Sequence, residues 1–192
     1  MGPRVGGARP TSQRIAGVTR FAFSSKAEDE VSWVMEIREL SASRDAEEIA
    51  RHLGLLYAEL FGPSAVLSEV DFRAAVGQWE RDQRPHWAFQ AIDESGRTAA
   101  FFTLGESFAF FAHGTYGILN ELWVNPEVRS KGVGEQVIAF CVRFAGMRGW
   151  GRLDVSAPPN AEWDRTFAFY QKRGFTLTGR KLKILIPIVT HA

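Results

Sequence analysis

The sequence predicts a three-layered domain of the α+β or α/β class. Three observations carry this. Segments of apolar alternation are interleaved with segments of helical periodicity, in the order β-α-α-β-β-β-α-β-α-β-β. Two of the helices fall among the strands of the second half, so helices must cover a mixed sheet rather than form a separate bundle. The chain is 192 residues long and 45% apolar, enough for one domain with a sizeable core and no covalent staples.

Each element has its own signal. Val34–Leu40 reads as a short strand. Ser43 or Asp45 can cap a helix over Ala46–Phe61, whose Ile49, Leu53, Leu56, Tyr57 and Leu60 recur at helical spacing, and Gly62-Pro63 ends it. A second helix is expected over Glu69–Arg81. Trp87–Ile92 and Thr98–Leu104 read as a hairpin around Asp93-Glu94-Ser95-Gly96. Tyr116–Val124 is a further strand. Gly132–Arg148 is the clearest helix, with Val133, Val137, Phe140, Cys141 and Phe144 on one stripe. Arg152–Ser156 is a strand, Trp163–Lys172 a helix stopped by Gly174, and Phe175–Thr178 and Lys181–Ile188 are expected to close the sheet.

Residues 1–34 stand apart. The first 26 hold five basic residues and no acid, four glycines, two prolines and no sustained apolar periodicity. They read as a disordered extension, with 35–192 as a single domain. A translated upstream region with the working start at Met35, an organelle-targeting segment and a basic arm all account for that composition. Removing the five basic and three acidic residues of positions 1–34 leaves 18 basic and 19 acidic ones, a net charge of about −1.

Composition excludes several functions. Lys plus Arg is 23 and Asp plus Glu is 22, a balance that argues against nucleic-acid binding and against docking on an anionic membrane. The longest apolar runs, such as Ile184–Val189, are too short to span a bilayer. A single cysteine, Cys141, permits no intramolecular disulfide, and no Cys/His cluster has zinc spacing, so no metal is expected. The expectation is a cytoplasmic globular protein.

The chemistry lies in the stretch Glu121-Leu-Trp-Val-Asn-Pro-Glu-Val-Arg-Ser-Lys-Gly-Val-Gly134. A strand runs into a tight loop and a helix opens at Gly132. The first-turn amides and the positive end of the helix dipole form an anion site, Gly132 and Gly134 allow close approach, and Arg129 and Lys131 add charge. A phosphate-rich ligand follows. The P-loop spacing is absent, and only Gly132-x-Gly134 of the dinucleotide fingerprint is present. A plain loop-to-helix turn accounts for the same glycines.

Arg129-x-x-Gly132-x-Gly134, after Leu122-Trp-Val124 and Pro126, resembles the acetyl-coenzyme A loop of the GCN5-related N-acetyltransferases (GNAT). About 40 residues on, Phe169-Tyr-Gln-Lys-Arg-Gly-Phe175 is similar to that family's helix-to-strand signature. The resemblance covers residues 35 to about 188. It implies a mixed, mostly antiparallel sheet whose strands Tyr116–Val124 and Arg152–Ser156 splay to form a coenzyme cleft. Backbone groups of Leu122, Trp123 and Val124 would pair with the pantetheine arm. The amides of Ser130, Lys131, Gly132, Val133 and Gly134 would hold the pyrophosphate, with Arg129 in support. The implied reaction is direct acetyl transfer from acetyl-CoA to a primary amine in a ternary complex.

Within that resemblance Tyr170 matches the tyrosine that donates to the departing thiolate, and a phenol pKa near 10 suits a thiol near 8.5. A core aromatic at a helix end is the alternative. Glu121 is the first candidate base, Asp154 the second, and water a third. Where the family carries an asparagine seven residues before the tyrosine, this chain has Trp163; Asn160, ten residues before, is the substitute candidate for a coenzyme contact.

Other residues read mainly as structure. Cys141 belongs to a buried stripe. His52, His86 and His113 are scattered, with His113 the most suggestive because it precedes a central strand. Phe101, Phe102, Phe108, Phe110, Phe111 and Tyr116 suggest core and homodimer packing, or else an apolar substrate wall. Glu69, Asp71, Glu80 and Asp82 form a wet face that, given the resemblance, would border the acceptor site and favour a cationic amine. A small-molecule amine is the expected partner. Acetylation of a protein N-terminus or lysine, and a non-catalytic acyl-CoA-binding module, are the alternatives.

Overall fold

The computed structural model describes residues 12–15, 18–22, 35–62, 69–82, 84–158, 160–179 and 181–184. The chain divides into two compact units, Met1–Val155 and Ser156–Ala192.

The first unit is built on a seven-stranded sheet in the order β1 (Ser12–Ile15), β2 (Val18–Ala22), β3 (Glu36–Leu40), β4 (His86–Ile92), β5 (Thr98–Ala109), β6 (Gly114–Val124) and β7 (Leu153–Val155). Every neighbouring pair is antiparallel except β6–β7, which is parallel. Two helices, α1 (Ala42–Phe61) and α2 (Glu69–Arg81), follow β3, and α3 (Val133–Arg148) connects β6 to β7. The fold is thus the mixed, mostly antiparallel α/β arrangement that the resemblance implied.

Strand alternation assigns the two cores. On one side, Phe101 stacks on His52 of α1 at 5.1 Å, within a cluster that includes Leu40, Ile49, Leu56, Val76 and Trp123. On the other, its neighbour Phe102 meets Phe140 of α3 at 5.6 Å, and Phe89 meets Phe140 and Phe144 at 4.9 and 5.4 Å. Cys141 is fully buried on that stripe, and burial pushes its thiol pKa well up, so it stays a protonated packing residue.

Helix α1 starts four residues earlier than the pattern predicted. Its N-cap is Ser41, and Asp45, with non-helical φ −113°, sits at a kink. The Asp45 carboxylate accepts the Ser41 amide at 2.7 Å, so the aspartate does cap, but by reaching back as in a capping box.

Three expectations are corrected. The patternless tail contains β1 and β2, paired through Arg20↔Arg38 to Ala22↔Glu36 along the edge of β3. Backbone pairing to an existing strand edge satisfies amides without any apolar periodicity. The rest of residues 1–34 lies outside the described residues. Phe175–Gly179 and Lys181–Ile184 form no strand, and Leu177, Leu182 and Ile184 are exposed; the remainder of the predicted closing strand lies outside the described residues. An alternating pattern is a strand only where an edge pairs with it. Finally, Phe108, Phe110 and Phe111 are exposed at the β5–β6 tip, whereas Phe101, Phe102 and Tyr116 are core.

The second unit carries a 3-10 turn at Ala161–Trp163 and α4 (Asp164–Lys172). Gly174, at φ 93°, ends α4 in a Schellman motif: its amide donates to the Gln171 carbonyl and the Phe175 amide to the Tyr170 carbonyl. The Phe175 ring meets Tyr170 at 5.6 Å, the apolar contact that accompanies this cap. The Tyr-x-x-x-Gly-Phe spacing therefore has a structural cause of its own.

Candidate active site

Strand β6 organises the site. It pairs with β5 along its length, but with β7 only through Gly117↔Leu153, Ile118↔Asp154 and Leu119↔Val155. From Asn120 to Val124 its second edge has no partner in β7. A strand stretch that its neighbouring strand does not cover is a template for an extended ligand with its own amides.

A bulge sits where the strands part. Thr103 faces Glu121 and Leu104 faces Leu119, leaving Asn120 as the extra residue. The bulge brings the consecutive Asn120 and Glu121 to one cavity, although regular alternation would separate them. Glu121 accepts a short hydrogen bond from the Thr103 hydroxyl. Its charge, after burial, raises the Tyr57 pKa, which keeps that phenol protonated.

The cavity holds about 300 Å³ and lies between α1, α2 and the sheet. Leu53, Val76 and Trp79 supply its apolar wall; His86, Asn120 and Glu121 supply polar groups. Gly105 makes room for two of these. A Cβ there would stand 2.9 Å from Asn120 Nδ2 and 3.1 Å from His86 Nδ1. The sequence pattern does not single out Asn120, Thr103 or Trp79, and it leaves His86 among the structural residues; the available signal was Gly105, because a glycine inside a strand marks a bulge or a close approach. His113, singled out instead, is an exposed left-handed residue at the end of a 3-10 turn.

A polar depression shares Trp79 and His86 with the cavity and includes Glu39, Arg44, Glu80, Asp82 and Arg84. Asp82 and Arg84 are engaged with each other at 2.5 Å, which holds the Asp82 pKa down to about 2.

Beyond β6 the chain turns through a 3-10 segment, Pro126–Val128, capped by Asn125, whose Oδ1 accepts the Glu127 amide and whose Nδ2 donates to Thr98. Ser130 at φ 63° and Gly132 at φ 82° then put two left-handed residues just ahead of α3. Such a backbone forms a concavity of N–H groups, here continuous with the amides of Val133, Gly134 and Glu135 in the first turn. Arg129 departs from its expected use. Its guanidinium grips Glu59 of α1 at 2.6 Å, and its Nε donates to the Val124 carbonyl at 3.0 Å, so it fastens the loop to α1. Lys131 is exposed at the loop's crest. Leu122 and Val124 are half-buried, and Trp123 packs in the α1-side core 5.7 Å from His52.

The other candidates separate. Asp154 is held by Arg152 at 2.6 and 3.1 Å, a satisfied ion pair on β7. Asn160 and Tyr170 belong to the second unit. There Asn160 Nδ2 reaches Glu162 at 3.3 Å, and the Tyr170 ring is buried against Phe169 and Phe175. Among the described residues no group of three metal-ligating side chains comes together, and no helix is long and apolar enough to cross a membrane.

Residues 86–177 match the family model described as "Acetyltransferase (GNAT) domain". No curated protein matches the sequence. Solved structures similar to this fold include an integron cassette protein from the mobile metagenome of V. cholerae (20% identity, 80% of this chain and 92% of that one, TM-score 0.64). An aminoglycoside N-acetyltransferase in complex with CoA is also similar (19% identity, 79% and 94%, TM-score 0.60). So is a ribosomal-protein-alanine N-acetyltransferase from Brucella melitensis biovar Abortus 2308 (21% identity, 79% and 99%, TM-score 0.60). At these identities the neighbours establish the fold, and the matched segment spans both β6 and the loop before α3. Residues 86–177, from β4 through α4, are thereby recognised as a GNAT acetyltransferase domain.

Proposed function

We propose that the protein transfers the acetyl group of acetyl-CoA to a primary amine of a small molecule in the cytoplasm. The observation that carries this is the end of β6–β7 pairing at Leu119, beyond which the strand from Asn120 to Val124 leads directly to the N–H concavity at Ser130–Gly134. The coenzyme suits both: an extended, amide-bearing arm matches an unpaired strand edge, and a pyrophosphate matches a helix N-terminus. In this reading Leu122, Trp123 and Val124 offer backbone groups to the arm, and Ser130, Lys131, Gly132, Val133 and Gly134 hold the phosphates. Arg129 acts by fixing the loop on Glu59. Asn160 supplies a further polar contact.

Bound acetyl-CoA would supply a thioester carbonyl as the electrophile. The amine nitrogen forms the new C–N bond, the C–S bond breaks, and the amine's proton is made good on the sulfur. Glu121 takes the proton that must leave the ammonium before attack, and Thr103 keeps its carboxylate oriented. Tyr170 donates to the departing thiolate. Its support is the motif spacing, and the Schellman contact explains the same spacing, so its role requires its own test.

The direct test is labelled acetyl transfer by the full chain to pooled small amines and, separately, to pooled peptides. The expected result is transfer to the small amines, reduced by about 10²–10⁴-fold in Glu121→Gln with coenzyme binding retained. Transfer confined to peptides favours a protein acetyltransferase, and coenzyme binding with no transfer favours a regulatory module.

A further inference from the structure

Acetyl transfer to an ammonium leaves one proton over. Acetyl-CoA and R–NH3+ give the amide, the free coenzyme thiol and H+, so each turnover must discharge a proton as well as its two products. In the proposed reaction Glu121 takes that proton, inside a cavity walled by Leu53, Val76 and Trp79. With acceptor and thioester in place, the carboxyl group has to pass its proton on before it can act again. Among the described residues, three side chains line both this cavity and the adjoining polar depression: Trp79, His86 and Trp87. An indole N–H only donates, whereas imidazole can take a proton on one nitrogen and release one from the other. We propose that His86 is the proton exit of the acceptor site, carrying the proton from Glu121 to solvent at the depression. The proposal rests on the reading of the cavity as the acceptor site and of Glu121 as its base.

The placement of the ring supports this. His86 opens β4 and pairs across the sheet with Gly105. A Cβ at Gly105 would stand 3.1 Å from His86 Nδ1 and 2.9 Å from Asn120 Nδ2, so the glycine keeps a space that both side chains border. Glu121 follows Asn120 at the bulge and lines the same cavity. A cavity of about 300 Å³ with these polar groups on its wall has room for a bridging water beside a small acceptor. On the other side, the ring's charge reaches Asp82: hydrogen bonds from Arg84 chiefly hold that carboxylate's pKa down, and His86 adds to them. The charged groups around the two spaces are Glu121 on β6, Glu39 on β3, Arg44 on α1, and Glu80, Asp82 and Arg84 at and after the end of α2. Glu80 and Arg84 are exposed, so this wall meets bulk solvent. In the step itself an ammonium N–H bond breaks and an O–H bond forms on Glu121. That O–H bond then breaks as an N–H bond forms on His86, and the other ring nitrogen gives its proton to solvent. Glu121 is again the carboxylate with which the cycle began, and His86 is neutral.

The test uses the full chain, acetyl-CoA and the most rapidly acetylated of the pooled small amines, in dilute buffer, with amide formation read directly and the enzyme-free rate subtracted. His86→Ala should lower kcat by about 10²-fold and leave both KM values nearly unchanged. Imidazole added to that variant should restore turnover as its concentration rises. Pyrazole, a ring of the same size and a far weaker base, should not, and the wild type should be indifferent to both. His86→Gln keeps a polar side chain that does not titrate; it should show the same lowered kcat, and it stands in if the alanine variant fails to fold. Restoration by both rings shows that His86 only fills space, and overturns the proposal. So do restoration by neither, wild-type turnover in either variant, and an amine KM that rises in proportion to the lost rate. Each of these leaves acetyl transfer by the wild type standing. Absence of transfer by the wild type removes the proposed function, and the proton exit with it.

Discussion

Replacing Gly132 by alanine separates the backbone's needs from the ligand's. Gly132 has φ 82°, and a Cβ added there would meet nothing within 4 Å. The substitution therefore costs left-handed strain and no steric clash inside the protein, about 1–2 kcal/mol. For a chain of this size that is a fall in Tm of about 2–8 °C. Gly96 is a matched control: φ 81°, also with nothing within 4 Å, in the β4–β5 turn away from the loop. Gly96→Ala should lose the same stability. The two variants should part on coenzyme A. If the amides around Gly132 hold the pyrophosphate, the added methyl group and any backbone relaxation misalign at least one charge-assisted hydrogen bond. That is worth about 1.5–3 kcal/mol, or about tenfold or more in Kd. Scanning calorimetry gives the first quantity and isothermal titration with coenzyme A the second. Equal Tm losses with wild-type coenzyme affinity in both variants would refute the anion site. Unchanged Tm in both would refute the strain argument.

Three further outcomes are expected. Tyr170→Phe keeps the ring in the Schellman contact, so stability should move by about 1 kcal/mol or less, while turnover falls with the coenzyme KM nearly unchanged; wild-type turnover without a pre-steady-state burst would leave Tyr170 as packing alone. His52 is fully buried, and burial first, then Arg51, lowers its pKa, so the native state holds it neutral. Its contribution is therefore complete above the unfolded value near 6.5 and is lost as pH falls from there towards the lower folded value, by up to about 1.4 kcal/mol per pH unit. Urea midpoints between pH 7.5 and 5 should show this slope in the wild type and a flatter one in His52→Phe. Deleting residues 1–34 removes β1 and β2 and uncovers the β3 edge. The shortened chain should self-associate in sedimentation while keeping its affinity for coenzyme A, and a monomer of unchanged Tm would show that the added strands contribute nothing.

Much of the site was legible because its signals are local. The loop from Asn125 to Gly134 announces itself through Pro126, Gly132 and Gly134, and a helix N-terminus has the same electrostatics in any fold. The stripe from Val133 to Phe144 required a buried face, and α3 buries it. The use of Arg129 was not legible, because Glu59 lies 70 positions away in the chain and meets it only after α1 has packed. The same holds for Asp154, a plausible base as a letter and an arginine's partner in space.

The sequence by itself determined the order of elements from β3 to α4, the place of the loop before α3 and the carboxylate at Glu121, since propensity, periodicity and capping act over a few residues. Only the tertiary structure decided what those pieces face. A one-residue bulge at Asn120 changes which side chains share a surface, and the pairing of β6 with β7 stops at Leu119, which opens the strand edge. The described residues from Phe175 to Ile184 are the counterpart: their pattern suits a strand, and among the described residues no strand edge pairs with them. Register and pairing are properties of two segments at once, so neither segment's sequence contains them.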